Sequence, residues 1–274
     1  MAEQPNGSID AEIRDGVAHV TVNRPDARNA MTSAMFEQMI NLVDRLQSDG
    51  SVRVVLLQGA GKSFIAGGDV KAFAAGLDMT PTERADDMKA RAARAGRISA
   101  AIARLPQAVI VAARGYSVGA GLSIVAAADL AIASENAQFV LAHINLGMSP
   151  DGGASFFLPR QVGLKRAKQI ALLGDAISAQ EALAMGLVNW VVPDAELEQR
   201  AQQLAERLAA APATAVAEIK ALLGRSSERD LDAQIAAENE SLRNCALTPD
   251  FAEGLLALRE KRKPRFGTNG GGTT

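Results

Sequence analysis

Twice in this chain an uninterrupted apolar run of strand length empties into a glycine-rich loop, and a helical segment opens directly behind it. The first run is residues 52–57, and its loop spans 58–69. The second is residues 108–113, followed by Gly115, Gly119 and Gly121 in a stretch that continues as helix to 128. Short runs apolar throughout read as strands buried inside a sheet, and the alternation with helices specifies an α/β core. The loops carry a chemical meaning as well. A glycine-bearing turn at the start of a helix presents bare backbone N–H groups, reinforced by the helix dipole, to an oxygen that gains negative charge.

The rest of the chain fits around this rhythm. Residues 9–23 alternate polar and apolar around Asp15-Gly16, which predicts a two-stranded hairpin. His19 falls on the opposite face from Val20 and Val22 and reads as an exposed strand residue. Met35, Phe36, Met39, Ile40, Val43 and Leu46 recur at helical spacing, with Thr32 as cap and Gly50 as stop. A helix is expected over 81–105, ended by Pro106, and short strands over 131–133 and 138–141. After Pro193 the patterning is helical only, broken near Pro212, Gly224 and Pro249. The expected organisation is a core over 1–194, a helical region over 195–266 and a disordered tail over 267–274.

Composition excludes several classes. The 274 residues allow about two compact units, and 29 Lys and Arg against 31 Asp and Glu give a net charge of −2. That balance offers no general attraction for nucleic acid or anionic lipid. Cys245 is the single cysteine and His19 and His143 the only histidines, so no intrachain disulfide and no Cys- or His-rich metal site is expected. The longest uncharged membrane-like run, 115–128, is too short to span a bilayer. Residues 1–7 lack a basic start and an apolar centre, so a signal peptide is not expected and the expected location is the cytoplasm.

Two motifs mislead. Gly61-Lys62-Ser63 resembles the end of a phosphate-binding loop, but Leu56 stands where that pattern requires its first glycine. Gly119-Ala120-Gly121 invites a dinucleotide reading. Ile124 occupies the third small position, and no acidic residue follows about twenty positions on.

Phe64-Ile65-Ala66-Gly67-Gly68-Asp69-Val70 resembles the first loop of the enoyl-CoA hydratase/isomerase (crotonase) family, and residues 114–121, Arg-Gly-Tyr-Ser-Val-Gly-Ala-Gly, resemble its second. Asn23-Arg24-Pro25, Asn29-Ala30, residues 174–187, Glu253-Gly254 and residues 260–266 match further landmarks in order. The resemblance covers about 10–267. It implies a spiral of β-β-α turns followed by a helical trimerisation region, assembling as a homotrimer or a dimer of trimers. It also implies an acyl-CoA thioester substrate whose carbonyl is polarised by the N–H groups of Gly68 and Ala120. Coenzyme A would be part of the substrate, with no separate cofactor and no metal. By position the resemblance assigns substrate binding to Arg28, Ala30, Lys62, Ala66, Gly67, Asp69, Val70, Tyr116 and Gly119, and acyl-pocket shaping to 71–95.

The departures bear on the chemistry. A typical hydratase of the family carries two glutamates, and the matching positions here are Ser123 and His143. Asp151 matches a position where some family isomerases and a related dehalogenase keep a catalytic aspartate. The similarity over 146–153 is to phenylacetate-pathway-type isomerases. Asp151 could instead only cap the helix that begins near Gly152. His143 reads either as a general base or as a loop hydrogen-bonding residue. Ser123 shares a helix face with Ala120 and can hydrogen-bond water or substrate. The leading expectation is an enoyl-CoA isomerase, because a 1,3-proton shift needs one carboxylate. A hydratase using Asp151 and His143, a carbon–carbon hydrolase using His143, and a silent acyl-CoA binding protein are the alternatives.

Overall fold

The computed structural model describes residues 7–267; the expected tail from 268 onward lies outside the described residues. Among the described residues nine strands form two sheets. They are β1 (Ser8–Arg14), β2 (Val17–Asn23), β3 (Val54–Gly59), β4 (Ala108–Ala113), β5 (Tyr116–Val118), β6 (Leu130–Ser134), β7 (Gln138–Val140), β8 (Ala176–Ser178) and β9 (Trp190–Val192). The larger sheet runs β1-β2-β3-β4-β6-β9 and the smaller β5-β7-β8. Only the β1–β2 hairpin is antiparallel in the larger sheet. Eleven helices intervene among the described residues: α1 (Ser33–Ser48), α2 (Val70–Ala74), α3 (Pro81–Arg104), α4 (Ala120–Ala127), α5 (Ala154–Val162), α6 (Leu164–Leu173), α7 (Ala179–Met185), α8 (Leu197–Ala209), α9 (Ala213–Gly224), α10 (Leu231–Ala246) and α11 (Pro249–Glu260).

The parallel register explains the apolar runs. Val20, Leu57, Val111 and Ala131 stand in one row across β2, β3, β4 and β6, and all are buried in the main core. Leu56, Ile110 and Ile132 point to the opposite face, where Leu197, Ala201 and Ala205 of α8 cover them. Both faces are therefore dry, as continuous Val, Ile, Leu and Ala demand. His19 lies on the α8 side beside Leu56 and is half-buried, where the sequence alone suggested exposure. Burial, then the nearby Arg14 charge, lowers its pKa.

Successive turns place one strand in each sheet before returning by helix. β4 leads to β5 and α4, and β6 leads to β7. β3 leads to Ile65, which bridges to Ser117 in β5. This is the expected β-β-α spiral. β5, hidden inside the expected loop and helix at 115–128, is the element the sequence does not announce. Three residues are too short for periodicity, and only pairing, with β7 on one side and Ile65 on the other, makes them a strand.

Thr32 caps α1 as expected, accepting from the Met35 N–H, and Thr80 with Glu83 forms a reciprocal capping box on α3. α8 packs against the sheet, so the core extends past residue 194, and the helices standing outside it begin with α9. α9 is tied back by Lys220, whose Nζ pairs with Asp129 Oδ2 and donates to the Gln107 carbonyl. Leu223, Leu231, Leu242, Leu255 and Leu258 on α9–α11 are exposed.

Candidate active site

Three segments converge on one cavity of about 280 Å³: the first glycine loop, the start of α4 and the loop before α5. Gly68 forms a parallel bridge with Met31, in which the Met31 N–H donates to Gly67 O (2.8 Å) and its carbonyl accepts from the Asp69 N–H (3.1 Å). In that pattern the Gly68 N–H is turned away from Met31. Gly68 and Ala120 both line the cavity, and among the described residues neither N–H has a hydrogen-bond partner. Ala120 opens α4, so its donor is one of the orphan groups of a helix start.

Two glycines permit this arrangement. Gly119 turns the chain into α4 at φ +52°, a conformation that side chains resist, and its N–H donates to Val140 O. Gly121 lies against Ile65, whose carbonyl would collide with any Cβ there. The two loops are thus held backbone to backbone, with Ile65 N–H donating to Tyr116 O and Val118 N–H to Ile65 O.

His143 sits across from Gly119, its Cε1 about 3.5 Å from where a Cβ would stand. The ring is nearly buried, and Nε2 lies 3.0 Å from Asp151 Oδ1. An ionised carboxylate only accepts, so Nε2 carries the hydrogen in this pair. Nδ1 is buried without a partner among the described residues. The imidazole therefore offers no free nitrogen to the cavity. Asp151 lines the cavity, its side chain is 29% exposed, and Oδ2 has no partner among the described residues. The helix that follows begins at Ala154 with Gly153 as its cap, and no side chain caps it. The capping alternative for Asp151 is thereby set aside: two left-handed glycines, 152 and 153, separate its carboxylate from the helix start.

Ser123 is fully buried and absent from the cavity wall. Its hydroxyl is shared between Gly119 O (3.1 Å) and Asp151 O (3.3 Å). It joins the start of α4 to the Asp151 loop and does not face the substrate space.

The remaining expected binding residues divide. Ala66, Gly67, Asp69, Val70 and Gly119 line the cavity. The Asp69 carboxylate is committed, capping α2 and pairing with Arg24 at 3.0 Å. Arg28, Lys62 and Tyr116 are exposed and outside the wall, and the half-buried Ala30 also lies outside it. Arg28 stacks over the Tyr116 ring at 5.2 Å. The rest of the wall comes from α1–α3, with Phe36, Phe73, Met88, Arg91 and Arg94, and the Phe73 ring lies against Gly68. The sequence marks 71–95 as pocket-forming but leaves side-chain directions open. The helical face 88-91-95, readable only once α3 is placed, is the signal that names them. Among the described residues no group of three or more His, Cys, Asp or Glu is placed to hold a metal ion. No described helix is long and apolar enough to cross a membrane.

Fold and paired loops together define a crotonase-type α/β spiral. The sequence model of the enoyl-CoA hydratase/isomerase family matches residues 12–269, and the chain belongs to that family. It is 34% identical over 257 residues to a 1,2-epoxyphenylacetyl-CoA isomerase of Escherichia coli, covering 93% of this chain and 97% of that one. It is equally 34% identical over 257 residues to a trans-2-decenoyl-[acyl-carrier-protein] isomerase of Streptococcus mutans, covering 93% and 95%. Among solved structures, an enoyl-CoA hydratase from Bacillus anthracis superposes with a TM-score of 0.88 at 32% identity, covering 94% of this chain and 98% of that chain.

Proposed function

We propose that this enzyme shifts the double bond of an enoyl-CoA, with Asp151 as its single base. In the forward step Asp151 Oδ2 takes a proton from C2 of a 3-enoyl thioester. The electron pair moves onto the thioester oxygen, which the Gly68 and Ala120 N–H groups receive, giving a dienolate. The protonated Asp151 then returns the proton at C4, leaving the double bond between C2 and C3. Two preorganised amide donors contribute most at the dienolate oxygen, about 3 kcal/mol each. His143 is a positioning residue, holding Oδ1 so that Oδ2 stays free, and Ser123 positions the loop backbone.

The observation that carries this reading is the state of the imidazole: Nε2 is spent on Asp151 and Nδ1 is buried. Among the described residues, one carboxylate oxygen, Asp151 Oδ2, is the only free base in the cavity wall near the two amides. Hydration would need both water activation and proton delivery, and neither 123 nor 143 supplies a carboxylate. Residues 66–70 hold the coenzyme A thioester, with Arg28 and Lys62 flanking the mouth. The exposed leucines of α9–α11 support a homotrimer, and the expected setting is the cytoplasm; sedimentation showing a stable monomer at micromolar concentration would overturn the assembly. No separate cofactor enters this chemistry.

The deciding experiment presents straight-chain and aromatic 3-enoyl-CoAs in heavy-oxygen water. Isomerisation yields a conjugated 2-enoyl-CoA, seen by its absorbance, with no label incorporated. Labelled 3-hydroxyacyl product would establish a hydratase instead. No change with any ester would leave an acyl-CoA binding protein.

A further inference from the structure

The cavity is lined by apolar residues, Met31, Phe36, Phe73 and Met88 among them, yet α3 contributes two arginines to the same wall. The two differ. Arg91 is neutralised by Asp87, one turn earlier at 2.6 Å, and stacks over the Phe73 ring at 5.5 Å. Arg94 is half-buried and, among the described residues, has no carboxylate, carbonyl or aromatic partner. An arginine keeps its charge in any protein environment. Drawing it into an apolar wall costs free energy unless something there accepts its hydrogen bonds.

The position of Arg94 on α3 indicates which part of a substrate it would meet. Its neighbour Ala95 packs toward Gly152, its Cβ 3.8 Å from where a Cβ would stand there, so this stretch of α3 backs the Asp151 loop. Long helical side chains lean toward the helix N-terminus, which carries the Arg94 guanidinium from the Asp151 loop toward Met88 and Phe73. The Phe73 ring lies against Gly68, its Cζ 2.9 Å from where a Cβ would stand there, so the apolar wall that Arg94 joins begins beside the thioester donor. The planar fork of arginine matches a carboxylate with two parallel hydrogen bonds.

Resting on the acyl-CoA reading above, we propose that Arg94 is a specificity residue for an acyl chain ending in a carboxylate, so that the preferred substrates are mono-CoA esters of dicarboxylic acids. The Arg94 charge would be completed by the substrate in the way that Asp87 completes Arg91.

Saturated esters separate this proposal from the chemistry, because they bind without reacting. Equilibrium binding is measured for butyryl-, hexanoyl- and octanoyl-CoA and for their ω-carboxylate counterparts succinyl-, adipyl- and suberyl-CoA. The proteins are wild type, Arg94→Gln and Arg94→Lys, with melting curves to confirm folding. At one chain length the wild type should prefer the ω-carboxylate by about tenfold or more. Arg94→Gln should abolish that preference while changing the methyl-ended ester less than threefold, and Arg94→Lys should retain part of it. A wild type that binds both series equally overturns the proposal and leaves the acyl-CoA reading intact. Equal weakening of both series in Arg94→Gln would assign Arg94 to the coenzyme A phosphates and equally overturn it. Failure of every ester to bind would overturn the acyl-CoA reading itself, and this inference with it.

Discussion

His143 Nε2 and Asp151 Oδ1, eight residues apart in the chain, meet at 3.0 Å on the cavity wall, with Ser123 Oγ bound to the Asp151 carbonyl at 3.3 Å behind them. Three positions that read separately in the sequence thus form one unit. The two that match family glutamates have become supports for the third. On the proposed reading, the proton transfer rests on that single aspartate.

Asp151→Asn preserves shape and one accepting oxygen but cannot take a proton. The variant should fold, bind CoA esters with little change in KM, and lose isomerisation by about 10²-fold or more in kcat. His143→Ala should lose less, because the carboxylate remains while its orientation is freed. The reverse order, an active Asp151→Asn with a dead His143→Ala, would make the imidazole the base.

Gly68→Pro deletes one of the two amide donors. If circular dichroism and melting show a folded protein, kcat should fall by about 10²–10³-fold. Unchanged turnover in a folded variant would remove Gly68 from the carbonyl site.

The Lys220–Asp129 pair fixes α9 to the sheet. Burial pushes the Asp129 carboxyl up and the Lys220 ammonium down, and each partner opposes the other's shift. Lys220→Met would leave Asp129 buried with only the Val109 N–H, at a cost of about 3–5 kcal/mol at neutral pH. A raised carboxyl favours the folded state below its unfolded pKa and loses that contribution as pH rises through the folded one. The deficit against wild type should therefore shrink as pH falls into the acid range, which urea titrations at two pH values would show.

Glu253 accepts from Arg262 at 2.6 and 2.9 Å and from the Arg265 N–H at 2.7 Å, and these bonds lower its pKa to about 2. The contact contributes fully above the ordinary glutamate value and is lost as pH falls from there through about 2. Hydrogen exchange in 262–267 should accelerate across that window in wild type. Glu253→Gln should exchange fast throughout and show no such step.

The spiral, the two glycine loops and the helical end of the chain are legible in the residues because each is local. Continuous apolar runs, glycine at positive φ and 3.6-residue periodicity describe a segment without reference to its neighbours. The matching landmarks single out Gly68, Ala120 and Asp151 by position, and the fold brings all three to the cavity wall. β5, the burial of His19 and the place of α8 on the second sheet face depend on what packs against them. So do the roles within the site. Only the fold shows that Asp151 does not cap α5, that Ser123 faces its own loop, and that His143 spends Nε2 on Asp151 while its Nδ1 is buried. Sequence sets which groups exist and their local conformation. Hydrogen-bond partners and the desolvation that decides which group remains free come from segments brought together across the chain.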